Sequence, residues 1–378
     1  ALAPNDPLVW RSVAESRMSR HEYAGAVQAY QTALVMEPND VSLLNSLGYA
    51  AGYAGDLSAA SRALQQYQSL RPGDANPIDS MGDVNLLLGR LREAENLYLQ
   101  TAKKDPNFLG GGEYSKAATA RLMSGDPAGA GELYQHFLQA RAKDPLLDSY
   151  NAQWDWLAGR RKEGLGQLQA FAQRLAGAPA TREAASRAYS ELAVWNVALG
   201  DRKTAQQMAE QAVRLAGPST AALAAIARFI AQPAASAAEW AARADGAFPQ
   251  PAQKALRDTA LAYALLGCSE FEPARRILQA RYDTTSPTAD DELPILLAWA
   301  DLETGKTREA AALLRFNPLP SAAGPKPFTV FAFPRLFFLR GRLAGMTGSP
   351  DQARAEFRTF LRLSGDQPLA WGEEQKAR

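Results

Sequence analysis

Proline recurs at Pro4, Pro38, Pro72 and Pro106, a spacing of 34 residues kept three times over. Asp6, Asp40 and Asp74 keep the same interval, as do Ala26, Ala60 and Ala94. Large residues follow each alanine four positions later, at Tyr30, Leu64 and Tyr98, and Gly48 and Gly82 mark one place in the preceding segment. A unit this short cannot bury its apolar face alone, so each period has to be one structural unit stacked on its neighbours. Within a unit the apolar residues follow helical spacing in two runs: Trp10, Val13 and Ala14, then Tyr23, Ala26, Val27, Tyr30, Ala33 and Leu34. The break at residues 19–22 separates them. Aspartate before each unit predicts an N-cap, and Pro7 loses no needed donor in a first turn. The unit is therefore a helical hairpin with alanine or glycine where its two helices approach most closely.

At these residues the chain resembles the tetratricopeptide repeat family, whose pattern places Trp, Leu-Gly, Tyr, Ala, Phe and Pro at fixed points in 34 residues. The first unit supplies Trp10, Ala26, Tyr30, Ala33 and Pro38. The second supplies Leu44, Leu47, Gly48, Ala60, Leu64 and Pro72, and the third Met81, Gly82, Ala94, Tyr98 and Pro106. The resemblance implies an all-α fold, a right-handed α-solenoid superhelix of about ten to eleven stacked hairpins. The regular array covers residues 1–145. Residues 146–250 are degenerate repeats, with Gly164 where alanine is expected and a shortened seventh unit over 217–250. Residues 251–334 hold further repeats and end in a proline-rich connection that includes Pro325 and Pro327, expected to be extended and stiff. Residues 335–378 form the last repeat and cap, marked by Gly341, Ala353 and Phe357. The glycines Gly110 to Gly112 lengthen one loop and allow a bend there. Because Pro4 occupies the column that ends a repeat, Ala1 to Ala3 read as the last turn of an earlier helix, and the chain as the remainder of something longer.

Composition narrows function mainly by exclusion. Forty-one Lys and Arg balance 40 Asp and Glu, which argues against a dedicated nucleic-acid binder. One cysteine and two histidines supply neither a disulfide framework nor a histidine-rich metal site, and no cofactor or metal is expected. No apolar run is long enough to span a membrane. The compartment stays open: soluble, and either cytoplasmic or, after processing, periplasmic or secreted. Gly305-Lys306-Thr307 lacks the glycine a phosphate loop needs, since position 300 is Ala300, and it falls in a repeat turn. His21 and His136 lie in different repeats and read as hairpin or surface residues. Cys268 has no histidine in its unit to activate it. Asp290, Asp291 and Glu292 precede a helix and read as its capping charges.

The resemblance implies a non-enzymatic protein-binding scaffold or adaptor, holding a peptide in its groove or serving as a subunit of a larger assembly, and the Ala- and Arg-rich usage points to a bacterial origin. The alternative is the regulatory or sensor part of a larger bacterial enzyme or signalling protein. The resemblance puts partner contacts on the first helix of each hairpin, here Arg11, Glu15, Asn45, Tyr49, Tyr53, Asp79 and Asp83. The family's carboxylate clamp is not assembled, because its places hold Arg11, Glu15, Asn45 and Tyr49. Residues 1–108 carry 9 basic against 12 acidic residues, and residues 335–378 carry 8 against 5. Acids beside Tyr49 and Tyr53 suit a basic segment, and on this reading replacing Asp79 and Asp83 leaves the melting temperature unchanged. Trp154 and Trp156, two apart on one helix, cannot share a face, so one of them, Trp156, is expected to meet the groove. Phe328, Phe331 and Phe333 either pad the last repeat or form a docking patch.

Overall fold

The computed structural model describes residues 5–233, 236–287, 289–320 and 328–378. Pro4, the residues Ala1 to Ala3, and Pro325 and Pro327 lie outside the described residues. Every regular element described is helical, and the helices follow one another as hairpins. The chain divides into two compact units, the first formed by residues 1–142, 280–291 and 315–324, the second by residues 143–279, 292–314 and 325–378. The four sequence segments graded repeat regularity, whereas packing groups the chain by contact, and it brings two late segments back to the first unit.

The first unit holds α1 (Pro7–Ser19), α2 (Tyr23–Met36), α3 (Val41–Ala54), α4 (Leu57–Leu70), α5 (Asn76–Leu87), α6 (Leu91–Lys104), α7 (Gly112–Met123) and α8 (Pro127–Ala140). Asp6 and Asp40 are the N-caps of α1 and α3 that their spacing predicts, whereas Ala75 takes that position in α5 and Asp74 stands one residue before it. Asp6 accepts from the Leu8 amide at 2.9 Å, Asp40 from Ser42 at 2.7 Å and Leu43 at 3.0 Å, and Asp74 from Asn76 at 2.9 Å. Each bond satisfies a donor that the helix itself cannot, worth about 0.5–2 kcal/mol.

The small-residue columns mark the closest approaches within hairpins. A Cβ on Gly48 would stand 2.7 Å from Leu64 Cγ, and one on Gly82 would stand 2.6 Å from Tyr98 Cε1. Ala26, Ala60 and Ala94 are fully buried. The glycine triplet has a related reason: Gly111 has φ +77 and a Cβ there would lie 2.5 Å from Ala140 Cβ, while Arg141 holds the carbonyls of Leu109 and Gly110.

The second unit holds α9 (Leu147–Leu157), α10 (Arg161–Ala176), α11 (Arg182–Leu199), α12 (Arg202–Leu215), α13 (Ala221–Ala231), α14 (Ala237–Ala247), α15 (Lys254–Gly267), most of α16 (Phe271–Tyr282), α17 (Leu293–Glu303), α18 (Thr307–Leu313), α19 (Arg335–Met346), α20 (Pro350–Ser364) and α21 (Glu373–Ala377). Gly164 replaces the usual alanine because α10 touches the backbone of α9: a Cβ there would meet Ala152 O at 2.6 Å. Gly341 repeats the first unit's pattern, with Phe357 Cδ1 2.6 Å from where its Cβ would be. The seventh hairpin is short, with 11 residues in each of α13 and α14.

This register has a direct test in the first unit. Gly82→Ala and Ala60→Leu should each destabilise the protein by about 1–3 kcal/mol in urea unfolding, because neither site can admit the added atoms without displacing a buried partner. Gln66→Ala, at an exposed site whose amide reaches Pro38 O at 3.0 Å, should stay within about 0.5 kcal/mol of the parent.

Candidate partner-binding surface

The residues expected on the inner helices separate into an accessible group and a buried one. Arg11 and Glu15 on α1 are the accessible pair, 3.5 Å apart, with the Glu15 side chain 60% exposed. The Arg11 guanidinium also donates to the Ser42 hydroxyl on α3. One turn further along α3, Asn45 is half-buried, and its side-chain oxygen is enclosed without a hydrogen-bond donor. Tyr49 follows, half-buried, its hydroxyl donating to Asp83 Oδ2 at 2.6 Å.

Asp79 and Asp83 are not free to meet a basic partner, which corrects the expectation drawn from their register. They are 5% and 7% exposed, and both face Lys116 of α7. Lys116 Nζ pairs with Asp79 and lies 2.8 Å from Asp83 Oδ1, above the Tyr98 ring at 4.8 Å. Tyr98 donates to Asp83 Oδ1 at 2.8 Å. Glu113 completes the cluster, with a fully buried side chain and a carboxylate oxygen 4.0 Å from Lys116 Nζ. Burial would lower the lysine's basicity, but the carboxylates of Asp83 and Asp79 outweigh it and hold the ammonium charged. Asp79 is raised by burial and by Asp83, against the pull of Lys116. Burial pushes Glu113 up to about 9, with Lys116 opposing and Asp79 adding to the rise, so this carboxyl is protonated at neutral pH. The cluster is thus one ammonium shared by two carboxylates and a neutral acid. A double Asp79→Lys, Asp83→Lys variant would set three like charges in one buried site, so a lower melting temperature replaces the unchanged one expected from sequence.

Tyr53 is also removed from the surface, at 4% exposure, and the reason is covalently distant. Its ring stacks on Tyr23 at 5.3 Å and meets Phe316 edge-on at 5.6 Å. Arg315 donates to the Tyr53 carbonyl at 3.0 Å, and Asn317 gives its side-chain amide to Leu86 O at 2.9 Å and its backbone amide to Leu87 O at 3.1 Å. The proline-rich stretch, expected from sequence to be an extended, stiff connection, therefore begins as a packed strap over the ends of α3 and α5. The other late segment reaches the turn between α1 and α2, where Tyr282 O lies 2.7 Å from His21 Nε2 and the Tyr282 ring stacks on the imidazole at 3.7 Å.

In the second unit, Trp154 and Trp156 are both buried, at 2% and 3% exposure, so neither faces a groove. Residues two apart point to opposite sides of α9, and α9 is covered on both sides. Trp156 stacks on Trp195 of α11 at 4.3 Å. Beside this contact Gln153 donates to Glu191 at 2.8 Å, and burial raises that carboxyl to about 7 against the pull of Gln153. Of the phenylalanine patch, Phe331 and Phe333 are likewise interior and Phe328 is half-buried. Phe328 stacks on Tyr263 at 4.6 Å, Phe331 lies between Tyr263 and Trp371, and Phe333 meets Phe337 at 5.8 Å. With Phe331 and Phe333 only 1% and 8% exposed, they pad the end of the array and present no face for docking.

Glu292 stands at the N-cap position of α17 and makes no side-chain cap hydrogen bond there. Asp290 pairs with Arg281 at 2.9 Å, and Glu292 receives the Thr329 hydroxyl. Gly305 turns α17 into α18 with φ +78, and Cys268 is exposed at the end of α15. Among the described residues no helix is long and apolar enough to cross a membrane. Sequence reasoning missed Lys116, Glu113 and Asn317. Lys116 lies 37 residues after Asp79, close to one repeat, and that spacing was the available signal.

No family model matches the chain, and no curated protein matches it. Among solved structures it is similar to MamA at 17% identity, covering 43% of this chain and 94% of that one with a TM-score of 0.32. It is similar to yeast Tom70 at 12% identity, 94% and 76% coverage and a TM-score of 0.37. Pseudomonas aeruginosa PilF follows at 16% identity, 57% and 94% coverage and a TM-score of 0.36. The resemblance to tetratricopeptide repeats rests on the chain's own 34-residue period and its hairpin packing.

The buried cluster makes stability depend on pH in a definite direction. Glu113 keeps its proton in the fold up to about pH 9 but releases it near 4.5 when unfolded, so stability falls as pH rises through that window. Melting temperatures measured between pH 5 and pH 9 should decline for the parent and decline less for Glu113→Gln. Lys116→Met should cost about 3–5 kcal/mol at neutral pH in urea unfolding, because it leaves two buried carboxylates without their cation.

Proposed function

We propose that the chain is a non-enzymatic protein-binding scaffold that holds an extended peptide segment against the face formed by α1 and α3. The observation that carries this reading is Asn45. A buried amide oxygen without a donor is a standing cost of about 1–3 kcal/mol, and it lies next to Tyr49, one turn from the Arg11 and Ser42 contact. Turned outward, the half-buried amide would take a backbone N–H of a bound segment, while the Tyr49 ring supplies flat apolar contact. Arg11 and Glu15 at the rim would read charge on the segment. Only Glu15 remains of the acids expected to favour a basic partner, so that preference is weaker than the acid count alone implies. Service as a subunit of a larger assembly fits the same face.

Selection of a random peptide library against the full chain tests the proposal. Asn45→Ala should weaken the selected peptides at least about tenfold, the range expected when a buried hydrogen bond is lost, with the melting temperature equal to or above the parent's because an unsatisfied acceptor has gone. Unchanged affinity in Asn45→Ala, or selected peptides that compete with nothing on this face, would overturn it.

A further inference from the structure

We infer that the turn joining α1 to α2 carries an oxyanion site, formed by Arg17 and Arg315, that takes the carboxylates of an acidic peptide segment. The site lies apart from the Asn45 face and does not rest on it. An open cleft of about 570 Å³ is lined by Arg17, His21, Tyr23, Gln28, Tyr53 and Arg315, among others. Arg17 spends one nitrogen on Gly25 O at 2.8 Å, and Arg315 spends one on Tyr53 O at 3.0 Å while lying over the Phe316 ring at 4.3 Å. These bonds fix each guanidinium in place and leave further N–H donors on both. Among the described residues neither arginine is ion-paired, although thirteen other arginines there are matched to a carboxylate within 3.5 Å.

The surroundings leave that positive charge uncancelled. The one acid lining the cleft is Glu22, and it pairs with Arg20 at 3.4 Å. Asp283 acts on His21 through space but does not line the cleft. His21 adds no charge of its own, since Tyr23 Oη lies 2.8 Å from Nδ1, Tyr282 O lies 2.7 Å from Nε2, and burial lowers its basicity. The wall is rigid, because the His21 and Tyr282 rings stack at 3.7 Å and those of Tyr23 and Tyr53 at 5.3 Å. Preset guanidinium forks match the planar geometry of carboxylates, and an open cleft with an aromatic wall suits a chain passing through it better than a small enclosed ion. Arg315 arrives from a segment far along the sequence, so the site exists only because the chain returns to its first hairpin.

Fluorescence anisotropy on the full chain with a labelled glutamate-rich peptide, its glutamine counterpart and inorganic phosphate as competitor tests the site. The glutamate peptide should bind at least about tenfold more tightly than the glutamine one, with affinity falling as salt rises. Arg17→Gln with Arg315→Gln should abolish the difference. Gln28→Glu should reduce it and Gln28→Lys increase it, and because Gln28 is exposed neither change threatens the fold. Asn45→Ala should leave it intact, which separates failure here from failure of the α1 and α3 face. Equal binding of the two peptides, a preference untouched by the Gln28 variants, or phosphate binding more tightly than the glutamate peptide would overturn the inference.

Discussion

The structure depends on how closely two helices of a hairpin can approach. Where Gly48 faces Leu64 and Gly82 faces Tyr98, the missing Cβ lets a large side chain lie directly on the opposite backbone. That contact sets the separation of the pair, and the separation sets which residues of the next hairpin come within reach. Tyr98 shows the consequence: its ring is pinned by Gly82, which places its hydroxyl on Asp83 and its face beneath Lys116. Removing the space at Gly82 would therefore disturb a charge cluster that contains no glycine.

Closely packed hairpins leave the carbonyls at the ends of their first helices partly unsatisfied, and each unit answers this with chain from elsewhere. In the first unit, Arg315 and Asn317 bond to the carbonyls of Tyr53, Leu86 and Leu87. In the second, Asp366 N bonds to Gly159 O at 3.0 Å and Ala370 N to Ala198 O at 2.8 Å. The second strap is also held by charge. Arg335 is fully buried between the Trp299 and Trp371 rings, at 3.6 and 4.3 Å, and bonds to Glu373 at 2.5 Å. A buried arginine of this kind is tolerated only while its aromatic and acidic partners stay in place, so the end of the chain is part of the core of its unit.

What could be read from sequence was what repeats. Asp6 and Asp40 announce caps, and Gly48, Gly82 and Gly341 announce close contacts, because each acts inside its own hairpin at a constant spacing. The straps were not legible, since Asn317 and Tyr282 act on residues more than two hundred positions earlier and no period points there. Trp156 was misjudged for a related reason. Two faces of an isolated helix differ in exposure, but α9 has α10 on one side and α11 on another, so helical geometry alone could not assign a solvent side.

The candidate site shows the same limit in its electrostatics. Register correctly put Asp79 and Asp83 on the first helix of the third hairpin, and formal charge counted them as an acidic surface. Charge count ignores whether the neighbouring repeat supplies a cation at the same height, and Lys116 does. Once that ammonium is buried with them, the acids carry little field to solvent, and Glu113 keeps its proton to avoid adding a third negative charge. The sign presented by the first unit is then decided by groups left unpaired, among which Arg17 and Arg315 are basic although the N-terminal segment has an acidic excess. Net charge along a repeat array thus says less about its partners than the identity of the few charges its own packing fails to neutralise.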